Sequence, residues 1–135
     1  MVALSLPCHS VVCTVHAWIG FVIVGGWAVL FLSGLAAFIA RRSNVWRWFW
    51  GLLAVLQVLL GIQLVAGIVV LAAGGRAQIL HYAYGVVFPV IVLAIAHSLG
   101  RGMEDPSDAW KVFAIASFFV FGLTLRALTT GLGLP

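Results

Sequence analysis

Four long apolar runs, separated by short polar breaks, make up nearly the whole chain. They cover roughly residues 10–40, 45–73, 77–100 and 108–130. Each is longer than the ~20 residues that an α-helix needs to cross a bilayer. The apolar residues run continuously rather than alternating, and each run far exceeds the ~10 residues of a barrel strand. The pattern therefore predicts helices and excludes transmembrane strands. The breaks are Arg41 to Asn44, Gly74 to Arg76, and Gly100 to Ser107. Gly74 is placed to cap the second helix and Ser107 to open the fourth. Links this short make consecutive helices antiparallel neighbours. The expected fold is all-α: a single domain over residues 1–135, built as a four-helix up-and-down transmembrane bundle.

Composition strengthens this reading. The chain is 64% hydrophobic and 7% charged, against about 25% charged in a soluble domain. Its stretch from Met1 to Ser10 has no basic residue, so no cleavable signal peptide is expected. The net charge of +4 comes from cations at segment ends. That is a topology signal rather than a nucleic-acid footprint. Arg41, Arg42, Arg47, Arg101 and Lys111 fall at one end of the bundle, and Arg76 and Arg126 at the other. Basic loops stay in the cytoplasm, so both termini are expected outside. Trp46, Trp48, Phe49 and Trp50 fit an interfacial belt on the cytoplasmic side. The setting expected is a bacterial cytoplasmic membrane, crossed several times.

The cysteines, Cys8 and Cys13, match no zinc spacing and no C-x-x-C pair. They are expected to be small apolar residues at a helix start; a disulfide between them would require an unwound N-terminus. All three acids, Glu104, Asp105 and Asp108, sit in one loop. The helices thus carry no carboxylate for acid–base catalysis or for a zinc or copper centre. No nucleophile triad and no phosphate-cradling motif occurs.

The histidines are the candidate chemistry. Ionisable groups inside a membrane are costly, so they point to function. His16-Ala-Trp-Ile-Gly20 and His81-Tyr-Ala-Tyr-Gly85 repeat the pattern H-x-x-x-G, each near the start of an apolar run. The first and third helices run in the same direction and are diagonal partners in a four-helix bundle. His16 and His81 therefore reach similar depth and can approach the axis from opposite sides. Two such nitrogens suit the axial positions of one haem b, with iron held by His16 and His81. Gly20 and Gly85, one turn further on, leave room for the porphyrin edge, and Gly61 and Gly67 can do so from the second helix. The competing reading is that small residues simply let membrane helices approach. Arg76 and Arg126, at the outer end, are candidates to pair with the haem propionates. His97 lies about 24 Å along the helix from His81, beyond reach of the same iron. It reads as an interfacial histidine. Gln57 and Gln63 read as interhelical hydrogen-bonding residues, with a quinone as another candidate for contact. His9 has no assigned role.

These residues resemble one four-helix half of the haem A synthases. Halves of that family carry a histidine near the start of one helix, Q-x-x-x-G on the next, and a histidine opening the third. Here those features are His16, Gln57-Val-Leu-Leu-Gly61 and His81, over about residues 13 to 100. The resemblance implies a haem-holding bundle. Two departures argue against haem A synthesis. Where the family's active half has a glutamate and an arginine around the first histidine, this chain has Cys13 and Ala17, and it corresponds to one half only.

The function expected is a cytochrome b-like subunit carrying one haem b per chain near the outer face. It would transfer electrons within a larger respiratory or photosynthetic membrane complex, rather than act as a stand-alone enzyme. Its partners would be the lipid bilayer and either other membrane subunits or a second copy, with no nucleic acid. Two alternatives stand beside it. One is a half-size haem-modifying enzyme acting as a dimer. The other is a haem-free structural subunit.

Overall fold

The computed structural model describes residues 10–134. Among these residues there is no strand. Four helices are long and apolar enough to span a membrane: α1 (Val11–Ile39), α2 (Arg47–Ala72), α3 (Ile79–Arg101) and α4 (Ala109–Gly131). A 3₁₀ turn, Pro106–Asp108, leads into α4. The molecule is a multi-pass membrane protein with lipid as its neighbour. Large apolar side chains on its outer faces, such as Trp18, Phe38, Val58 and Ile79, are exposed. That distribution suits hydrocarbon and not water.

Local chemistry sets the helix ends. The Ser10 side chain accepts from the Cys13 backbone N–H at 3.3 Å and opens α1. α2 ends in a Schellman turn, in which Gly75 N–H reaches the Val70 carbonyl and Gly74 adopts φ +96°. Only glycine takes that conformation without a steric cost. Gly74 thus does the capping expected of it. Ser107 does not. Asp105 accepts from both the backbone N–H and the hydroxyl of Ser107, at 2.9 and 2.7 Å, and so opens the 3₁₀ turn. These bonds hold the Asp105 carboxyl below the usual carboxylate range. A proline follows Asp105 directly, which moves the helix start two residues earlier than a serine cap implies.

Helix α4 is the most enclosed span. Its inner face carries Ala114, Ser117, Val120, Thr124, Ala127 and Thr130, all buried. Small side chains let α1 and α3 both pack against it. A Cβ added at Gly34 of α1 would stand 2.5 Å from the Ala114 Cβ, so the α1 and α4 backbones approach closely there. Each buried hydroxyl bonds a carbonyl one turn back in its own helix: Ser33 to Leu30, Ser117 to Ala114, Thr124 to Val120 and Thr130 to Ala127. None of these hydroxyls is left unpaired in hydrocarbon.

The packing departs from the expected ring of sequential neighbours. α1 packs on α2 and α4, and α3 packs on α4, but α2 does not pack closely on α3. A short link brings two helix ends together without bringing their faces together. The C-terminal end of α2 and the N-terminal end of α3 instead border a cavity, and further along a side-chain bond between Gln57 and His97 spans the gap.

Candidate functional site

The cavity lies at the end of the bundle that holds the described termini. Its volume is about 570 Å³ and all four helices wall it, a size typical of cofactor and ligand sites. His16 and His81 enter it from α1 and α3, which do not pack on each other. The two rings meet in an edge-type contact, with centroids 6.2 Å apart and planes at 70°.

That separation has chemical meaning. A metal–imidazole bond is about 2.0–2.1 Å, and the ring nitrogen sits roughly 1.1 Å from the ring centre. Two imidazoles on opposite sides of one metal, each with a nitrogen toward it, would stand about 6.3 Å apart, centre to centre. The centroid separation of 6.2 Å is of that size.

His81 is held by α4. Its Nδ1 lies 2.7 Å from the Ala127 carbonyl. A carbonyl can only accept, so Nδ1 carries the proton and Nε2 keeps the lone pair available to a metal. Metal-bound histidines commonly use this arrangement. Gly131, one turn beyond Ala127 on α4, makes room for the ring: a Cβ there would stand 2.9 Å from both Cε1 and Nδ1. Sequence reasoning missed Gly131. Its signal was a glycine directly after the fourth apolar run, close to the depth of His81.

His16 is positioned through α2. Gln63 Nε2 donates to the His16 backbone carbonyl at 2.8 Å. Gly67 lies under the ring, where an added Cβ would come 3.1 Å from Cε1. His16 Nδ1 and Gln63 Oε1 are both buried without a hydrogen-bond partner among the described residues. Gly20 faces the same seam, since its Cβ would lie 3.3 Å from Gln63 Nε2. The glycine after His16 thus admits the glutamine that holds His16.

The helix after His81 is not regular. Residues Ala83–Val87 form a π turn. Pro89 has no N–H to give the Gly85 carbonyl, and its ring crowds that oxygen, so the chain widens to i→i+5 bonding. Gly85 sits in this turn and lines the cavity; its Cβ would touch the Ala127 Cβ at 3.5 Å, an ordinary contact. The proline was in plain view in the third run, but the reading of that run did not use it.

The other expected residues divide. Arg76 lines the cavity, with Nη1 donating to the Leu71 and Gly75 carbonyls at 3.0 and 2.9 Å. Gly61 does not line it, and a Cβ there meets nothing within 4 Å. Arg126 neighbours Ala127 on α4 but is not part of the wall. His97 lies toward the other end of α3, where its Nε2 donates to Gln57 Oε1 at 2.6 Å. Tyr82 lines the cavity and accepts from the Ala77 N–H at 3.2 Å. Cys13 also lines it and is disulfide-bonded, which overturns the expectation of a simple apolar thiol. Cys8 and His9 lie outside the described residues. Among the described residues, no three or more of His, Cys, Asp and Glu cluster to hold a metal ion. No protein-family model matches the chain, and neither a curated protein nor a solved structure does.

Proposed function

We propose that this protein is a haem-binding electron-transfer subunit of the bacterial cytoplasmic membrane. It holds one haem b between His16 and His81. The observation that carries the reading is the pair of imidazoles from α1 and α3, with ring centroids 6.2 Å apart, in a cavity walled by all four helices. Two side chains alone do not complete a metal site, and among the described residues no third or fourth ligand joins them. A porphyrin brings four nitrogens of its own, which leaves two axial positions for two histidines. When bound, the haem supplies reversible one-electron chemistry.

The chain's residues orient and enclose. Ala127 fixes the His81 tautomer, and Gln63 fixes the backbone of His16. Arg76 at the cavity wall offers a cation suited to carboxylate groups on the macrocycle edge. Ile23, Leu60 and Val86 give the cavity apolar walls.

Two observations support placing this end outside. Five of the seven basic residues lie at the opposite end. The disulfide at Cys13 fits an oxidising compartment. Electrons then pass between this site and partner subunits of a respiratory or photosynthetic complex, or a second copy. The likeness to a half of a haem A synthase agrees with the haem and not with its oxidation, because Cys13 stands where that family has a glutamate.

The test is a reduced-minus-oxidised visible spectrum of the purified protein, with haem extraction. Low-spin haem b is the expected result. Absence of haem from protein purified out of haem-replete cells refutes the reading. A chemically modified haem in the extract refutes the electron-transfer assignment in favour of an enzyme.

A further inference from the structure

A second cavity lies at the opposite end of the bundle, with a volume of about 530 Å³. Its walls are Phe38, Ile39, Arg41, Arg42, Trp110 and Lys111. Three of these six are cations, and the acid at hand is Asp108, which bonds Lys111 at 2.6 Å. The Arg42 guanidinium lies over the Trp46 ring at 4.5 Å, and its Nε donates to the Asn44 carbonyl. The Arg41 side chain has no hydrogen-bond or ion-pair partner among the described residues.

The backbone at Arg41 makes the cavity more than a chance cluster of charge. Three helices end in the same Schellman turn, with paired bonds back to the last turn. These are Arg42 to Ala37 and Arg41 to Phe38 after α1, Gly75 to Val70 and Gly74 to Leu71 after α2, and Leu134 to Thr129 and Gly133 to Thr130 after α4. The central residue takes positive φ each time: Gly74 at +96°, Gly133 at +74° and Arg41 at +52°. Glycine is the ordinary occupant, because any Cβ is strained there. Two of the three turns follow that rule. The third keeps an arginine at the strained position, and its side chain lines the cavity.

Beside the cations, Phe38 and Ile39 are 66% and 71% exposed on the outer face of α1. Charge and hydrocarbon thus lie next to one another at the end of a span. We infer that this cavity seats the phosphate of an anionic phospholipid headgroup, with an acyl chain along Phe38 and Ile39. Basic recesses between spans recognise lipid phosphates in this way. The site is at the other end of the bundle from the histidine pair and does not depend on the haem reading.

Native mass spectrometry of the full chain in detergent tests it. The probes are phosphatidylglycerol, phosphatidylcholine and inorganic phosphate. The wild type is expected to retain one phosphatidylglycerol in preference to phosphatidylcholine. Arg41→Gly and Arg41→Asn both tolerate positive φ, so both should melt no lower than the wild type. Both should lose affinity for phosphatidylglycerol by about fivefold, the worth of one cation near a membrane surface. Arg47→Gln removes a charge from the same end but outside the cavity wall, and should bind as the wild type does. Equal retention of the two lipids, or wild-type affinity in both Arg41 variants, overturns the site. If inorganic phosphate binds as tightly as phosphatidylglycerol and displaces it, the site takes the free anion and the lipid assignment fails.

Discussion

Gly131→Ala separates a glycine that merely packs from one that fits a ligand. In a helix, alanine is favoured over glycine by up to about 1 kcal/mol. On that ground alone the variant should be more stable. The structure predicts otherwise. The new Cβ would stand 2.9 Å from Cε1 and Nδ1 of His81, whereas carbon contacts settle near 3.5 Å. The ring must withdraw by roughly 0.6 Å. It is tethered at 2.7 Å to the carbonyl of Ala127, one turn earlier on the same helix as Gly131. Withdrawal therefore stretches that bond to about 3.3 Å, past the usual N–H···O range. Weakening it costs about 0.5–1.5 kcal/mol, which cancels the helix gain. Gly122→Ala is the control, because a Cβ at Gly122 on the same helix meets nothing within 4 Å. Thermal unfolding in detergent should show Gly122→Ala melting a few degrees higher and Gly131→Ala not. The low-spin haem signal in electron paramagnetic resonance should move for Gly131→Ala alone. If both variants melt higher to the same extent and the signal stays put, His81 is not held as described.

Other outcomes follow from the same geometry. His16→Ala and His81→Ala should each abolish a low-spin bis-histidine spectrum, while His97→Ala, whose partner is Gln57 at the other end of α3, should leave it intact; loss in His97→Ala alone would move the site to that end. Gly85→Leu places a large side chain at the cavity wall and should lower haem content without preventing membrane insertion, so normal haem content would reduce Gly85 to a packing residue. Ser43→Cys, between α1 and α2, should resist an impermeant thiol reagent applied to intact cells; labelling from outside would reverse the orientation.

Much of the fold could be read from the chain because hydrocarbon imposes one rule, that every span be long, apolar and helical. The four runs match the four helices to within about two residues at most ends. What could not be read depends on contacts between spans. The gap between α2 and α3 arises because both α1 and α3 find their close-packing surface on α4, whose small residues are scattered at helical spacing among larger ones. His16 and His81 stood out because ionisable groups are rare in such runs. Gly131 did not, because a membrane helix carries many glycines and only the folded chain shows which one touches a ring. Gly61, two turns before the glycine that does touch His16, illustrates the same difficulty. Arg41 looked like one more cytoplasmic charge, since positive φ leaves no mark on composition.

The π turn of α3 also sets how the protein responds to insertions and deletions. An α-helix advances about 100° per residue, so sixteen residues, the spacing of His81 and His97, would leave them about 160° apart on a regular helix. A π turn absorbs one extra residue, which reduces that angle to about 60°. It is this surplus residue that lets one histidine meet the cavity while the other meets Gln57 on α2. Deleting a single residue between Ala83 and Val87 would leave a span still long enough for the membrane, yet swing its N-terminal end by about 100°. One codon therefore separates a bundle that brings the two imidazoles together from one that spans equally well and holds them apart.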